Sequence, residues 1–587
     1  SPGFEMSIST EHEGLPETGT SELAQLYNTG VFLAKKNDPE GALKTFKMVL
    51  KRYPGHCRTQ NWAGVLLAQK GEHEQAAKYF KEAIRCDNEN MMYLNNYGAL
   101  LVVLGKRYEA VDILERVVAA RPDYIEALEN YGLCKLQMGR LDEALACYTQ
   151  SVSRSPQSMR GWCNLIFAKD FDPNATAQEV LALRRGFNER FKQPLPTSWP
   201  NDRDPDRPLR VGYVSGDFCM HSAAFCFGAP VMGHKGIPNR VAPVHSYIYS
   251  STPIKVGWVD DIHDKFKAFT HVWRDCVGKS DLEVLKMVQA DQIDILVDLS
   301  AYSRYGRPEL FMRKPAPIQV TAWGHAQGTA WDAMDYMFGD EWTIPNAFKS
   351  FYHETIVQLP SVISFAPAEY ASPMPECPFT MNGGIIRFAS FNRLIKMTPP
   401  TLDTWARILH AAPQTHLVLK ESSLQDLQTQ AWVKAEFQKR GIDDGRLTLT
   451  GQTIHVEHLY GFAEVDLALD PFPHGGGVTA LEGLYMGVPV VTLAGDRLQE
   501  RLAYSFYNQL AAVAPDIPWL DLFVAWTQDE YVAKALHIVA NPDILLDIRR
   551  RLRLCMENTA LLDHTGYTEV VEAVYRHMWK RYLAKEA

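Results

Sequence analysis

The sequence lacks the features that mark membrane-spanning, disulfide-bonded and nucleic-acid-binding proteins. No apolar run among its 587 residues approaches the roughly 20 residues needed to span a bilayer. Its ten cysteines are scattered and none forms a Cys-x-x-Cys pair, which disfavours a zinc site or a disulfide framework. The formal net charge is -9, without the basic excess that nucleic-acid binding usually needs. We therefore expect a cytoplasmic protein with reduced thiols, no membrane segment and no nucleic-acid partner.

We also expect no signal peptide at the start of the chain. The letters "SPGFE" before Met6 are typical of a cloning remnant, and a polar tail follows, so residues 1–20 are left out of the fold prediction. The composition is that of an ordinary globular protein, with 46% hydrophobic and 22% charged residues. A chain of this length is expected to form roughly two to four domains.

A repeat with a period of 34 residues occupies the first quarter of the sequence. Three registers share this step: glycines at Gly30, Gly64, Gly98 and Gly132, alanines at Ala42, Ala76, Ala110 and Ala144, and large apolar residues at Phe46, Phe80, Leu114 and Tyr148. The pattern resembles the tetratricopeptide repeat, in which small residues let two helices pack closely. It predicts four repeats over residues 21–158, followed by capping and linking helices and a linker over residues 159–207.

A column of asparagines follows the same register. It consists of Asn28, Asn96, Asn130 and Asn164, with Trp62 interrupting it. In this type of repeat the position faces the concave groove, and a side-chain amide can pair with a peptide backbone of any sequence. We therefore predict that Asn96, Asn130 and Asn164 bind a protein or peptide acceptor in the groove. The alternative is that these asparagines only link neighbouring helices.

After the linker "PNDRDPDRP" the pattern changes to short apolar runs that alternate with helical segments. Within residues 208–380, the predicted strands are "LRVGYVSGDF", "VAPVHSYIY", "DILVDLSAY" and "PIQVTAWG". Within residues 381–587, they are "IIRFASFN", "THLVLKE", "RLTLTG", "VDLALD" and "VPVVTLAG". This alternation predicts two doubly wound α/β domains. Such folds bind ligands at the carboxyl ends of their strands, so we expect a cleft between the two domains.

Three consecutive glycines follow one of these strands, within "DPFPHGGGVTALEG". An oxyanion loop would need a later serine in Gly-x-Ser-x-Gly, but the serine that follows, Ser505, lies in "AYSFY". A dinucleotide fingerprint would begin at the strand end, where Pro-Phe-Pro-His intervenes, and the sequence has no P-loop motif. We favour a phosphate cradle over an ordinary turn, because bare backbone N–H groups and the helix that begins near Thr479 both attract an anion.

Charged residues complete the predicted site. The segment "FNRLIKM" places Arg393 and Lys396 at a junction of strand and helix, where a lysine can neutralise a leaving diphosphate. The alternative for Lys396 is a solvated surface side chain. Glu482, one turn into the helix after the glycines, can accept hydrogen bonds from ribose hydroxyls. Alternatively, it only favours the helix dipole.

Taken in order, these segments resemble the O-GlcNAc transferase family. The repeats are followed by "RVGYVSGDFCMH", "PAPIQV", "FNRLIKM" and "HLYGFAEVDLALDPFPHGGGVTALEGLYMGVPVVTL". The resemblance implies an α-helical superhelix of repeats followed by a GT-B fold, which is two Rossmann-like domains with an interdomain cleft. It also implies inverting transfer of N-acetylglucosamine from UDP-GlcNAc to serine or threonine of proteins, and a size similar to that of bacterial members. Residues 208–587 have no Asp-x-Asp signature, so no metal or other cofactor is expected.

The resemblance also implies roles for individual residues. His221 matches the family histidine at the reaction centre, where it acts as a base or as a positioning residue. Lys396 matches the diphosphate-binding lysine, His458 the histidine near the nucleotide, and Thr479 and Glu482 the segment that binds phosphate and ribose. The other residues predicted to bind the nucleotide sugar are Arg393, His474, Gly475, Gly476, Gly477 and Val478.

The sequence departs from the animal enzymes of this family at four places. Gly477, Val478 and Thr479 stand where those enzymes have His-Thr-Thr, Glu482 replaces an aspartate, and Arg393 replaces a glutamine. At 325–329, "HAQGT" stands where His-Pro-Gly-Thr or Tyr-Pro-Gly-Thr is usual. Two alternatives therefore stay open: a protein N-glucosyl- or O-fucosyltransferase on the same fold, and a nucleotide-binding repeat scaffold that has lost its activity.

Overall fold

A computed structural model describes residues 16–238, 243–254, 257–323, 327–373 and 376–585. The chain divides into two compact units, of which one ends at Leu165 and the other begins at Ile166. Residues 1–15 of the predicted remnant and tail, and residues 324–326 of the "HAQGT" region, lie outside the described residues. The domain limits given above stay a prediction.

The first unit consists of helices that pack in pairs, as the tetratricopeptide pattern predicts. The pairs are α1 (Glu22–Lys35) with α2 (Pro39–Arg52), α3 (Cys57–Gln69) with α4 (His73–Cys86), α5 (Met91–Val103) with α6 (Arg107–Ala120), and α7 (Ile125–Gln137) with α8 (Leu141–Arg154). Turns within the pairs use positive φ angles at one register, with Asn37, Gly71, Gly105 and Gly139 at φ 60, 88, 76 and 77°. This backbone conformation favours glycine and asparagine.

Close helix contact explains why two of the repeat registers occur together. A Cβ atom added to Gly64 would lie 2.7 Å from the ring of Phe80, and one added to Gly132 would lie 2.7 Å from the ring of Tyr148. Gly98 meets Leu114 in the same way, at 2.8 Å. The glycine of the first helix therefore makes room for the large residue of the second helix in each repeat.

Two further helices follow the repeats. They are α9 (Met159–Lys169), within which the two compact units divide, and α10 (Ala177–Phe191). A capping box starts α10, because Thr176 accepts from the N–H of Glu179 while the Glu179 carboxylate accepts from the N–H of Thr176. The helices expected in this region are therefore present.

The second unit contains a parallel sheet of seven strands with the order β3-β2-β1-β4-β5-β6-β7. The strands are β1 (Leu209–Ser215), β2 (Val244–Ser250), β3 (Val272–Asp275), β4 (Ile295–Asp298), β5 (Ile318–Thr321), β6 (Tyr336–Gly339) and β7 (Thr355–Gln358). The helices of this domain are α11 (Ala224–Gly236), α12 (Asp261–Ala268), α13 (Asp281–Ala290) and α14 (Pro308–Met312). The four predicted strands are confirmed as β1, β2, β4 and β5. Three strands were missed. The edge strands β3 and β7 have four residues each and are partly exposed, so neither forms an apolar run. The strand β6 is largely buried, but its apolar run is short because Asp335 and Asp340 flank it.

A second parallel sheet, of six strands, has the order β10-β9-β8-β11-β12-β13. Its strands are β8 (Ile386–Ser390), β9 (Thr415–Lys420), β10 (Leu447–Thr450), β11 (Leu467–Leu469), β12 (Val490–Leu493) and β13 (Val524–Ala525). The helices are α15 (Pro399–Ala411), α16 (Leu427–Gln438), α17 (His455–Tyr460), α18 (Val478–Tyr485), α19 (Leu502–Val513), α20 (Trp519–Phe523), α21 (Gln528–Ala540) and α22 (Asp543–Glu557). All five predicted strands are confirmed, and only the two-residue β13 was missed.

The last helix, α23 (His564–Lys585), returns to the first α/β domain and packs against α11. The buried His234 imidazole of α11 contacts the hydroxyl of Tyr213 at 2.6 Å and the carboxylate of Glu572 at 2.9 Å. The Tyr213 hydroxyl also lies 2.8 Å from that of Tyr575. Because these buried polar groups satisfy one another, they hold α23 on the first sheet and tie the two α/β domains together.

Candidate active site

A cavity of about 710 Å³ lies between the two α/β domains. The first domain lines it with residues that follow β1 and β4, and the second with residues that follow β8, β9, β10 and β11. These positions are the carboxyl ends of the strands, where doubly wound sheets bind ligands. The expected interdomain cleft is therefore present.

The cavity brings together most of the residues predicted to bind a nucleotide sugar. Its walls include His221, Arg393, Lys396, His458, Gly477, Val478, Thr479 and Glu482. His474, Gly475 and Gly476 are not among the lining residues, so these three lie behind the cavity wall.

The three glycines have different surroundings. A Cβ atom on Gly475 would lie 2.7 Å from the Asp470 carboxylate, and one on Gly476 would lie 3.1 Å from the Asn392 side chain. A Cβ atom on Gly477 would meet only Leu502, at 3.8 Å. The first two glycines therefore serve close packing, which corrects the expectation that all three line a phosphate cradle. Only Gly477 lines the cavity.

The Asp470 carboxylate shapes this loop from below. It accepts hydrogen bonds from the N–H of Gly476 and the hydroxyl of Thr492, both at 2.7 Å. Burial raises the pKa of Asp470 to about 6, and these two hydrogen bonds oppose that effect. With the loop fixed in this way, α18 begins at Val478 with Gly477 as its N-cap, and its positive end opens on the cavity.

Lys396 and Arg393 supply positive charge to the same wall. The Lys396 ammonium donates a hydrogen bond to the carbonyl oxygen of Gly475, at 3.2 Å. The pKa of Lys396 is lowered to about 7. Desolvation in the cleft is the larger cause, and repulsion from the Arg393 guanidinium is the second. A lysine with this pKa gains most from a bound anion, because the anion restores its ordinary preference for the protonated form.

A second polar cluster surrounds Glu482. Its carboxylate is 2.6 Å from Nε2 of His455 and 3.3 Å from Nε2 of His458. Burial raises the pKa of Glu482, and the hydrogen bonds with His455 and His458 lower it. The two hydrogen bonds outweigh burial, so the pKa lies below its usual value. Phe225 of the first domain stacks on His455, with ring centroids 5.3 Å apart and planes at 17°. The prediction missed His455, although it stands one helical turn before His458 in the sequence.

His221 lies on the opposite side of the cavity, in the loop after β1. Its Nδ1 accepts a hydrogen bond from the N–H of Ala223, at 3.1 Å, and lies 3.8 Å from the Asp217 carboxylate. Burial lowers the pKa of His221, so the neutral imidazole is favoured. Because Nδ1 accepts a hydrogen bond, the neutral ring carries its hydrogen on Nε2.

The asparagine column of the first unit is buried. Asn96, Asn130 and Asn164 are at most 2% exposed. The Asn96 amide donates to the side-chain oxygen of Asn61 at 3.0 Å, and the Asn130 amide donates to that of Asn95 at 2.9 Å. These bonds connect the first helices of neighbouring repeats. They support the alternative that the column links helices, and acceptor binding by these asparagines stays a prediction.

Two structural properties concern the expectations that the protein binds no metal ion and has no membrane segment. Within the described residues, no group of three or more histidine, cysteine, aspartate or glutamate side chains is arranged to hold a metal ion. The same part of the chain contains no helix with the length and apolarity to cross a membrane.

Comparison with known families gives two matches. The profile of glycosyl transferase family 41 matches residues 190–366 and 378–571. The tetratricopeptide repeat profile matches residues 27–90 and 98–158.

Individual relatives agree with these matches. A protein of Oryza sativa subsp. japonica, named probable UDP-N-acetylglucosamine–peptide N-acetylglucosaminyltransferase SPINDLY, is 31% identical over 75% of this chain and 46% of its own length. The corresponding Solanum lycopersicum protein is 30% identical over 73% and 45%. The structure of a point mutant of the Thermobaculum terrenum O-GlcNAc transferase superposes with a TM-score of 0.74 at 27% identity, covering 97% of this chain and all of the other. This chain spans less than half of the length of these plant relatives.

Proposed function

The chain belongs to glycosyl transferase family 41, and we propose that it transfers N-acetylglucosamine from UDP-N-acetylglucosamine to serine or threonine hydroxyls of proteins. The observation that carries this proposal is the cavity wall formed by Lys396, Arg393 and the start of α18, which is suited to a nucleoside diphosphate. The acceptor oxygen bonds to the anomeric carbon as the bond to the UDP oxygen breaks. Attack from the side opposite UDP inverts the configuration.

Protein groups supply the stabilisation of the leaving UDP. Lys396 and Arg393 carry the positive charge, and the backbone N–H groups at the start of α18 add fixed dipoles. Because these donors are held in place before the reaction, they need little reorganisation as negative charge develops on the diphosphate. We therefore propose a reaction without a metal ion, in which Lys396 takes the role that a divalent cation has in other transferases.

The cluster around Glu482 is proposed to bind the ribose. Its carboxylate lines the cavity and retains acceptor capacity beside the hydrogen bonds to His455 and His458. A ribose diol supplies two O–H donors of the kind that a carboxylate accepts. Phe391, Lys420 and Thr453 line the adjoining wall, and we place the nucleobase there.

His221 is proposed to position the acceptor rather than to remove its proton. With its hydrogen on Nε2, the neutral ring presents a donor to the cavity, while its lone pair at Nδ1 is engaged by Ala223. The proton of the acceptor hydroxyl would then leave through water or a phosphate oxygen of the donor. Of the two roles that the resemblance implies, the geometry of the Ala223 contact supports positioning.

The tetratricopeptide unit is proposed to bind the protein acceptor. Repeats of this kind present an extended concave surface, which suits a peptide segment. We also propose a cytoplasmic setting, for which the free state of the ten cysteines is supporting evidence. A bacterial source is proposed from the similarity to the Thermobaculum terrenum enzyme over 97% of this chain.

Donor identity is tested by incubating the full chain with UDP-GlcNAc, UDP-glucose or GDP-fucose and a peptide library, in EDTA and in added magnesium. Addition of one N-acetylhexosamine to serine or threonine, equal under both conditions, supports the proposal. Transfer of glucose to asparagine, or of fucose, would establish one of the alternative transferases. Nucleotide binding without transfer to any peptide would indicate a scaffold that has lost activity, and strict dependence on magnesium would contradict the metal-free mechanism.

A further inference from the structure

The segment that follows α9 lies directly against the glycine loop. The Phe171 ring, which is 2% exposed, stacks on the imidazole of His474 with centroids 4.8 Å apart and planes at 12°. The guanidinium carbon of Arg393 lies 5.9 Å from the centroid of the same phenylalanine ring. One aromatic side chain from outside both sheets therefore contacts two residues next to the donor cavity.

Hydrogen bonds of Gln499 reinforce this arrangement. Its side-chain amide donates to the backbone carbonyl oxygen of Asp170 at 3.4 Å, and its backbone carbonyl oxygen accepts from the N–H of Gly475 at 3.1 Å. The carbonyl oxygen of Gly475 then accepts from Nδ1 of His474 at 3.0 Å and from the Lys396 ammonium at 3.2 Å. The Gly475 peptide is thus held on one side by Gln499, whose side chain contacts the segment after α9, and its carbonyl oxygen orients Lys396 on the other side.

A buried ion pair anchors the segment that carries Phe171. The guanidinium of Arg184 holds the Asp170 carboxylate through two hydrogen bonds of 2.8 and 2.9 Å, and it also donates to the Gly328 carbonyl at 2.9 Å. Both side chains are buried, with 9% of Asp170 and 4% of Arg184 exposed. Because breaking a buried ion pair is costly, the backbone at Phe171 has little freedom to move away from the loop.

We propose that Phe171 is a positioning residue for the nucleotide donor. Its ring fixes the plane of His474 and the guanidinium of Arg393, and through the Gly475 carbonyl it fixes the direction of the Lys396 ammonium. This role rests on the proposed function, because it acts on residues assigned to the diphosphate of the donor.

The test compares Phe171→Leu and Phe171→Tyr with Phe187→Leu in the full chain. Phe187 is a matched control, because its ring is also fully buried and packs on Tyr302 at 5.1 Å and on Phe191 at 4.8 Å, within the same helical region. Calorimetry measures UDP binding at pH 6.5 and pH 8, and thermal unfolding measures stability.

Phe171→Leu is expected to weaken UDP binding roughly three- to tenfold, the range produced by losing an aromatic pair. Because water then reaches Lys396 more easily, the difference in affinity between the two pH values should also shrink. Phe171→Tyr keeps the ring plane and should restore affinity, while Phe187→Leu should lower the melting temperature and leave UDP affinity unchanged.

Unchanged UDP affinity and pH dependence in Phe171→Leu, with a loss of melting temperature like that of Phe187→Leu, would overturn the positioning role. Failure of the proposed donor is seen separately, in the wild type. If the wild type binds GDP in place of UDP, the affinity of the same three variants is measured with GDP. The same outcomes then support or overturn the positioning role of Phe171. If it binds neither nucleotide, both proposals are overturned.

Discussion

The Lys396 ammonium hydrogen-bonds to the carbonyl oxygen of Gly475, at 3.2 Å, and not to a carboxylate. A neutral partner orients the ammonium without cancelling its charge. This relationship explains how a lysine can be held in a fixed direction in the cleft while its charge stays available to an incoming diphosphate. It also gives the first prediction.

Lys396→Ala should nearly abolish transfer while the fold survives. Removing one charge-assisted contact to a leaving diphosphate costs about 3 kcal/mol of transition-state stabilisation, or roughly a hundredfold in rate. The rate of transfer to a peptide is measured beside the melting temperature, with Lys439→Ala as a control on the exposed surface of the same domain. Transfer within threefold of the wild-type rate would show that Lys396 is not the diphosphate-binding residue.

UDP binding should take up a proton above pH 7. The pKa of Lys396 is about 7, because desolvation and Arg393 lower it, while Asp470 and the Cys226 thiol of α11 oppose them. A diphosphate raises that pKa, so a lysine that is neutral at pH 8 becomes protonated on binding. Affinity should therefore fall as pH rises through this range, by up to about tenfold per pH unit.

Calorimetry at pH 8 in two buffers of different ionisation enthalpy measures this uptake. UDP is fully ionised at this pH, because the second pKa of a phosphate is about 6, so the proton goes to the protein. Lys396→Arg keeps its charge at all of these pH values and should remove the uptake. A wild-type enthalpy that is the same in both buffers would contradict the prediction.

His221→Gln should retain much more activity than His221→Ala. The glutamine amide offers a donor near the position of Nε2 but cannot act as a base, and the geometry at Ala223 supports a donor role. We expect His221→Gln to stay within roughly tenfold of wild type and His221→Ala to lose about a hundredfold, as for an essential transition-state hydrogen bond. Equal losses in both variants, with an acidic limb missing from the pH profile of kcat, would identify His221 as the general base.

Asn96→Ala and Asn130→Ala should lower stability before they affect acceptor binding. Each substitution removes the hydrogen bond that the buried side-chain oxygen of Asn61 or Asn95 accepts, at a cost of about 1–3 kcal/mol. Melting temperature is measured together with transfer to a long protein acceptor and to a short peptide, well below the unfolding transition. A loss confined to the long acceptor, at unchanged melting temperature, would instead establish the acceptor-binding role that the repeat register predicts.

Sequence patterns predicted most of the strands of the two α/β domains, because each pattern has a local physical cause. A buried parallel strand is a short apolar run, and β1, β2, β4, β5, β8, β9, β11 and β12 have this form, whereas β10 is partly exposed. Of the strands that were missed, β3 and β7 are partly exposed. The other two, β6 and β13, are largely buried, but β6 lies between two aspartates and β13 has only two residues, so neither forms a recognisable apolar run. The same reasoning found Lys396 and the helix after the glycines, because a strand end followed by a helix start is visible along the chain.

The glycines and the asparagines show where the sequence pattern did not predict the surroundings of a residue. Their types and positions were evident, but Gly475 and Gly476 pack against Asp470 and Asn392 behind the cavity wall, and Asn96 and Asn130 bond to other asparagines. A residue type that suits both close packing and binding does not by itself indicate which of the two surroundings it has.

By itself, the sequence determined the repeat unit, the two α/β domains and the strand ends after which the cavity-lining residues stand. These properties follow from periodicity and from local backbone preferences, which act between residues close in the chain. Only the tertiary structure decided that Phe171 stacks on His474, that Phe225 stacks on His455, and that Glu572 meets His234. These partners are separated by 303, 230 and 338 residues. Their contacts depend on how whole layers pack, and no local pattern in the chain encodes which surfaces meet.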